Sequence, residues 1–162
     1  MNNLQKKNLF ILIVVATLAT LPWLGFSDFN TKGEPREAIV SLTMLQQDNW
    51  ILPHNNGGEM AYKPPFFHWC IAATATVLGG MSEWAARFPS ALACILMLAW
   101  MYVYYTKRRD AGTALTASLI CLGCFEIFRA AHACRVDMVL TFCIVGAIYA
   151  FARWTEHERC RP

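Results

Sequence analysis

The sequence predicts an all-α membrane protein with about four transmembrane helices and additional interfacial helices lying along the membrane. Hydrophobic residues make up 56% of the chain and charged residues only 15%, whereas soluble domains carry about 25% charged residues. The charges are also clustered, which leaves uncharged stretches of the roughly 20 residues needed to cross a bilayer. The net charge of +3 is mild and no basic stripe is present, so no nucleic-acid partner is expected.

Four stretches fit such spans, at residues 9–26, 88–106, 111–128 and 138–152. The first contains no charged residue. Its apolar run exceeds the roughly 7–15 residues of a signal-peptide core and no A-x-A site follows it, so we expect an uncleaved anchor. Pro22 is expected to kink its outer end.

A shorter apolar segment, residues 66–81, decides how these spans are oriented. Basic clusters stand at Lys6 and Lys7, at Lys107–Arg109 and at Arg153–Arg161. All three lie in the cytoplasm, as the positive-inside rule requires, only if this segment does not span. We therefore expect an interfacial helix there and a cytoplasmic N terminus in the inner cell membrane.

That orientation places two polar loops on the same, non-cytoplasmic side, where they are able to meet. The longer loop covers residues 27–87 and the shorter one surrounds Arg129–Asp137. The longer loop opens with a predicted helix that has Pro35 in its first turn and acidic residues near its positive end. A turn is predicted at Asn55–Gly58.

Lys63 is the basic residue of the long loop whose backbone is most restricted. It precedes Pro64 and Pro65, which bias it toward an extended conformation. A cation held at headgroup depth is well placed to meet a lipid phosphate. The same position equally suits a lysine with no ligand, whose apolar stem lies at the membrane boundary while its ammonium extends into water.

Two acidic residues have both a functional and a simpler interpretation. Glu34 caps the predicted helix or, with Arg36, takes part in chemistry. Asp137 begins the fourth span, where acids are costly and often functional, or it only pairs with Arg135. Glu126 is expected to pair with Arg129 three residues later.

Histidines and cysteines give no ligand spacing that completes a metal site, so no metal is assigned. His54, His68 and His132 are expected to be interfacial or hydrogen-bonded.

Five short motifs occur in an order that resembles the GT-C glycosyltransferases. The similarity is closest to the bacterial aminoarabinose (lipid A) transferases and to the dolichyl-phosphate-mannose protein mannosyltransferase group, and it covers nearly the whole chain. The motifs stand at Gly33–Ala38, Asn49–His54, Lys63–Trp69, Ala86–Ala91 and Arg135–Met138.

This resemblance implies a polyprenyl-phosphate-linked sugar donor and inverting transfer to a lipid or protein acceptor on the outer membrane face. The family's acidic residues correspond to Glu34 and Asp137, and its phosphate-binding residues to Lys63 and Arg36. Further candidates for the site are Asp28, His54 and Arg135. Relatives often carry a metal-binding acid where this chain has Tyr62, so no cofactor is assigned, although a divalent cation is possible.

The same resemblance predicts that residues 1–162 form the N-terminal transmembrane module of a longer enzyme, because family members have many more spans. We expect the isolated chain to be inactive or nearly so. The alternatives are a small multi-pass transporter subunit, which requires ionisable residues deep inside the spans, and a non-catalytic membrane scaffold, which leaves the ordered outer loop unexplained.

Overall fold

The computed structural model describes residues 1–55 and 58–159, with side chains through residue 156. These residues form seven α-helices and no β-strand, apart from one isolated bridge between His54 and Met60. Asn56, Gly57 and Arg161, which belong to the predicted turn and to the last basic cluster, lie outside the described residues. The helices are α1 Asn3–Thr20, α2 Gly33–Gln47, α3 Phe66–Leu78, α4 Glu83–Thr106, α5 Ala111–Gly123, α6 Phe125–Ala131 and α7 Val136–Arg159.

Polar residues immediately before three of the long helices define where those helices begin. The Asn2 side chain accepts a hydrogen bond from the backbone N–H of Gln5, which completes a capping box at α1. Ser82 caps α4 and Asp110 caps α5 through equivalent bonds. At its other end α1 gives way to a 3-10 turn over Leu21–Trp23, which contains Pro22.

Long-range hydrogen bonds assign the connections between helices to the two ends of the bundle. At one end, the Tyr102 hydroxyl donates to the carbonyl of Gln5 at 3.0 Å. At the other end, the Trp84 indole donates to the carbonyl of Leu21 at 3.1 Å. We call the end with residues 21–82 and 124–135 the loop end, and the opposite end the N-terminal end.

Helix α4 forms the centre of the bundle, and α1, α3, α5 and α7 pack around it. Its buried face is built from small and medium apolar side chains, which allow close approach of the neighbouring helices. Fully buried members of this core include Ala86, Cys94, Leu98 and Tyr102.

The third predicted span differs from the structure, because it is not one continuous helix. Helices α5 and α6 meet at an angle of 70°. Cys124 between them has an extended backbone with φ −66° and ψ 124°, and Gly123, a weak helix former, precedes it. The stretch predicted as the third span, residues 111–128, is therefore divided by a bend at Cys124.

Within the described residues, three helices are long and apolar enough to cross a membrane, and a fourth crossing results if the bent α5–α6 pair is counted as one span. The expected all-α fold with about four spans is thus confirmed. Helix α3 has 13 residues and a length of about 20 Å at 1.5 Å per residue. It is too short to cross a hydrocarbon core about 30 Å thick.

Candidate functional site

A buried carboxylate at the loop end gathers three basic side chains around it. Glu37 on α2 accepts hydrogen bonds from the Lys63 ammonium at 2.8 Å and from the Arg36 guanidinium at 3.4 Å. Its second oxygen lies 2.9 Å from Nε2 of His68 on α3. We call these four residues the Glu37 cluster.

The contacts of Glu37 keep its carboxylate charged although its side chain is only 3% exposed. Burial disfavours the charged form, but the hydrogen bonds from His68 and Lys63 and their charges outweigh this effect. Together they lower the pKa of Glu37 to about 2. The carboxylate is therefore a fixed negative charge near neutral pH.

The cations of the cluster keep an open side toward solvent. The side chain of Arg36 is 46% exposed and that of Lys63 is 30% exposed. The cavity that they share with Glu37 and His68 measures only about 20 Å³, enough for about one water molecule. An anion as large as a phosphate must therefore approach Arg36 and Lys63 from their exposed side.

Glu34 lies one turn before Glu37 on α2 and has a different environment. Its Oε1 accepts from Nε of Arg87 at 3.0 Å and from the backbone N–H of Cys134 at 2.9 Å. Its Oε2 accepts from the backbone N–H of Asn30 at 2.8 Å. Burial raises the pKa of Glu34, but these hydrogen bonds and the Arg87 charge lower it below its ordinary value.

Arg87 on α4 joins Glu34 to the chain that follows the first span. Its guanidinium donates to the carbonyls of Leu24, Ser27 and Asp28 at 2.7–2.9 Å, and the residue is only 2% exposed. Charge-assisted hydrogen bonds of this kind are stronger than neutral ones. The Glu34–Arg87 pair therefore ties α2, α4 and the start of the long loop together.

The short loop before α7 also contacts this region, as the sequence allowed. Besides the bond from Cys134 to Glu34, the Ser90 hydroxyl donates to the carbonyl of Arg135 at 3.2 Å. Asp137, in the first turn of α7, is 53% exposed and pairs with Arg135 at 2.9 Å. The two loops thus meet at one end of the bundle.

Comparison with known proteins places this architecture in a family. The family model for dolichyl-phosphate-mannose-protein mannosyltransferases matches residues 62–162, well over half of the chain. The chain belongs to this family. The GT-C resemblance of the sequence is thereby confirmed.

Several curated proteins that are similar to this chain are bacterial aminoarabinosyl transferases. The undecaprenyl phosphate-alpha-4-amino-4-deoxy-L-arabinose arabinosyl transferase of Enterobacter sp. (strain 638) is 27% identical over 144 residues, covering 87% of this chain and 26% of that protein. The enzyme of the same name from Pseudomonas savastanoi pv. phaseolicola is 34% identical over 110 residues. This alignment covers 65% of this chain and 20% of the Pseudomonas protein.

Solved structures show the same fold. ArnT from Cupriavidus metallidurans, bound to undecaprenyl phosphate, superposes with a TM-score of 0.79 at 24% identity. The match covers 86% of this chain and 26% of ArnT, and the apo structure of ArnT gives the same values. The chain therefore spans about a quarter of the length of the relatives that it matches.

The structure brings together some of the residues that the sequence predicts for this family's site and separates others. Arg36 and Lys63 share the carboxylate of Glu37. Asp28 meets the Glu34–Arg87 pair through its backbone carbonyl, which accepts a hydrogen bond from Arg87. The His54 carbonyl accepts a hydrogen bond from the Thr43 hydroxyl.

Three polar residues of this region were not predicted as site residues: Glu37, His68 and Arg87. A signal for Glu37 was present, because it follows Glu34 by three residues and so shares its helix face. That face is the buried one, and it continues through Ser41 and Met44. No local signal identified Arg87, since its four acceptors lie more than 50 residues away in sequence.

A divalent cation finds no ligand set in the described part of the chain. No three histidine, cysteine, aspartate or glutamate side chains within it converge on one point. Glu37 and His68 come closest, but the Lys63 ammonium already occupies one oxygen of that carboxylate.

An ion pair in α6 matches a simple expectation from the sequence. Glu126 and Arg129 pair at 2.6 Å across one turn of α6, as predicted. Glu126 is 65% exposed, so it is not the buried intramembrane acid that a transporter subunit requires.

Proposed function

We propose that this chain is the N-terminal transmembrane module of a glycosyltransferase that uses a polyprenyl-phosphate-linked sugar donor. The observation that carries the proposal is the pair of cations Arg36 and Lys63. Both pair with the buried carboxylate of Glu37, and both side chains remain partly exposed to solvent. The family and the fold, shared with an ArnT structure bound to undecaprenyl phosphate, support the choice of ligand. The acceptor is a lipid or a protein, and the loop end faces the outside of the inner cell membrane.

Charge balance at the Glu37 cluster suits such a donor. Arg36, Lys63 and the Glu37 carboxylate together carry a surplus of one positive charge. A phosphodiester donor carries one negative charge. When the sugar leaves, negative charge grows on the phosphate, and cations already fixed beside it stabilise that change most strongly. Glu37 is on this account a positioning residue that holds Lys63 and Arg36 in place.

The transfer exchanges one bond for another at the sugar C1 atom. The bond from C1 to the phosphate oxygen breaks, and its electron pair leaves with the polyprenyl phosphate. The acceptor oxygen forms the new bond to C1 and loses its proton. A carboxylate that accepts this proton must be accessible and have a free oxygen.

Asp137 meets that requirement better than Glu34 does. Its side chain is 53% exposed and one oxygen faces Arg135, whereas Glu34 is buried and accepts three hydrogen bonds. We propose that the Asp137 carboxylate is the base that accepts the proton from the acceptor. Glu34, for which the family resemblance also implies a catalytic role, holds the two loops together on this proposal.

Binding of polyprenyl phosphate to the purified chain in detergent tests the donor site. Lys63→Gln is expected to weaken binding about tenfold or more, because a hydrogen bond to a charged group contributes about 1.5–3 kcal/mol. Lys32→Gln is the matched control, since Lys32 is an exposed lysine of the same loop. Equal affinities for the two variants would contradict the assignment of Lys63.

A transfer assay separates the two acids in a polypeptide that completes the chain with the remaining spans of a relative. Asp137→Asn is expected to lower turnover at least a hundredfold while donor affinity stays unchanged. Glu34→Gln is expected to lower donor affinity and thermal stability together. Normal turnover of a folded Asp137→Asn variant would exclude Asp137 as the base.

A further inference from the structure

A second polar cavity lies at the N-terminal end of the bundle, between the last turns of α4 and α7. It has a volume of about 150 Å³. Because it lies at the opposite end from the Glu37 cluster, the proposed donor site does not account for it. Its polar and aromatic lining residues are Trp100, Tyr104, Lys107, Arg108, Arg153 and Glu156.

One wall of this cavity is built around Arg108. The guanidinium donates through Nε to Glu156 at 3.1 Å and through a terminal nitrogen to the carbonyl of Tyr104 at 3.2 Å. Its central carbon lies 3.5 Å from the centre of the Tyr104 ring, which is a cation–π contact. The Tyr104 ring in turn stacks on Tyr149 at 4.2 Å. Arg108 is therefore held in place before any ligand arrives.

The lining carries a surplus of two positive charges. Arg108 is balanced by Glu156. Lys107 and Arg153 are exposed, and neither forms an ion pair with a carboxylate whose side chain the structure describes. Two cations that have no ion-pair partner among the described side chains, beside a cavity of this size, suit an anionic group.

We propose that this cavity binds the phosphodiester headgroup of an anionic glycerophospholipid. Tyrosine and tryptophan side chains concentrate where a membrane meets water, so Trp100 and Tyr104 place the cavity at headgroup depth. Basic pockets between transmembrane helices at such depth bind anionic headgroups. The acyl chains then lie along the apolar surface of α4 and α7, where Leu96 and Ile144 are exposed.

Lipid binding to the purified chain in nonionic detergent, measured by native mass spectrometry, tests the proposal. Phosphatidylglycerol is expected to bind more tightly than phosphatidylcholine with the same acyl chains. Lys107→Gln with Arg153→Gln is expected to weaken phosphatidylglycerol binding roughly 25-fold, about fivefold for each basic residue removed. Arg153→Gln alone is expected to weaken phosphatidylglycerol binding about fivefold, and this single variant tests the site if the double variant does not fold.

Two matched variants separate a site from general attraction. Lys6→Gln with Lys7→Gln removes the same charge from the same end outside the cavity, and affinity is expected to change less than twofold. Lys107→Arg with Arg153→Lys keeps the charge and is expected to keep the affinity. Equal losses in both glutamine pairs, or equal binding of the two lipids, would overturn the proposal. Displacement of the lipid by millimolar inorganic phosphate would show that a free anion is the ligand instead.

Discussion

Replacing Arg87 by methionine is expected to destabilise the loop end more than any change to an exposed charge. The substitution leaves Glu34 buried with its charge and removes the donor that three loop carbonyls share. Breaking a buried ion pair by removing one partner costs about 3–5 kcal/mol, because the remaining charge is no longer compensated. We expect the free energy of unfolding of Arg87→Met to fall by that amount.

The measurement is unfolding of the chain in detergent by increasing SDS, followed by circular dichroism. Arg36→Met is the matched control, since Arg36 is 46% exposed and also pairs with a glutamate. Its loss is expected to cost less than about 1 kcal/mol. Adding Glu34→Gln to Arg87→Met is expected to recover about 2 kcal/mol, because the double variant contains no unpaired buried charge.

The maleimide reactivity of Cys134 shows whether Arg87→Met loosens the packing at the loop end. Cys134 is fully buried and its backbone N–H donates to Glu34. In a background with the other six cysteines replaced by alanine, Arg87→Met is expected to make Cys134 react with a maleimide many times faster. Equal stability of Arg87→Met and Arg36→Met, with Cys134 still protected, would refute the reasoning.

Two other predictions concern Glu37 and the contact between α4 and α7. Because the pKa of Glu37 is lowered from 4.5 to about 2, its stabilisation is complete above pH 4.5 and is lost as pH falls toward 2. The free energy of unfolding should drop over that range by about 3 kcal/mol more than in Glu37→Gln, and parallel pH curves would contradict this. A Cβ at Gly146 would lie 2.7 Å from the Trp100 ring, so Gly146→Ala should cost about 1–3 kcal/mol in SDS unfolding. Gly123→Ala, which meets nothing within 4 Å, should cost nothing, and equal costs would argue against close packing at Gly146.

The spans could be predicted because their signal is local. Each needs only a run of apolar residues of sufficient length. The break in the third span could not be predicted in this way. Hydropathy is averaged over a window, so it does not detect a single extended residue such as Cys124 inside an apolar run.

The candidate site was predictable in part, for a reason visible in α2. Arg36 and Lys63 stand in motifs that resemble a known family, and the structure places both beside one carboxylate. The identity of that carboxylate did not follow from the motif. Helical spacing places Glu34 and Glu37 on one face, but it does not say which of them meets the exposed cations and which meets Arg87.

By itself the sequence determined the class of the protein, the approximate number of its spans and the grouping of its two polar loops at one end. These properties follow from composition and from the order of residues along the chain. Only the tertiary structure decided the partners of each charged side chain. Arg87 contacts Glu34 at a sequence separation of 53 residues, and Cys134 contacts Glu34 at a separation of 100 residues. Such pairings depend on how helices pack, because buried charges must find partners wherever the packed helices place them.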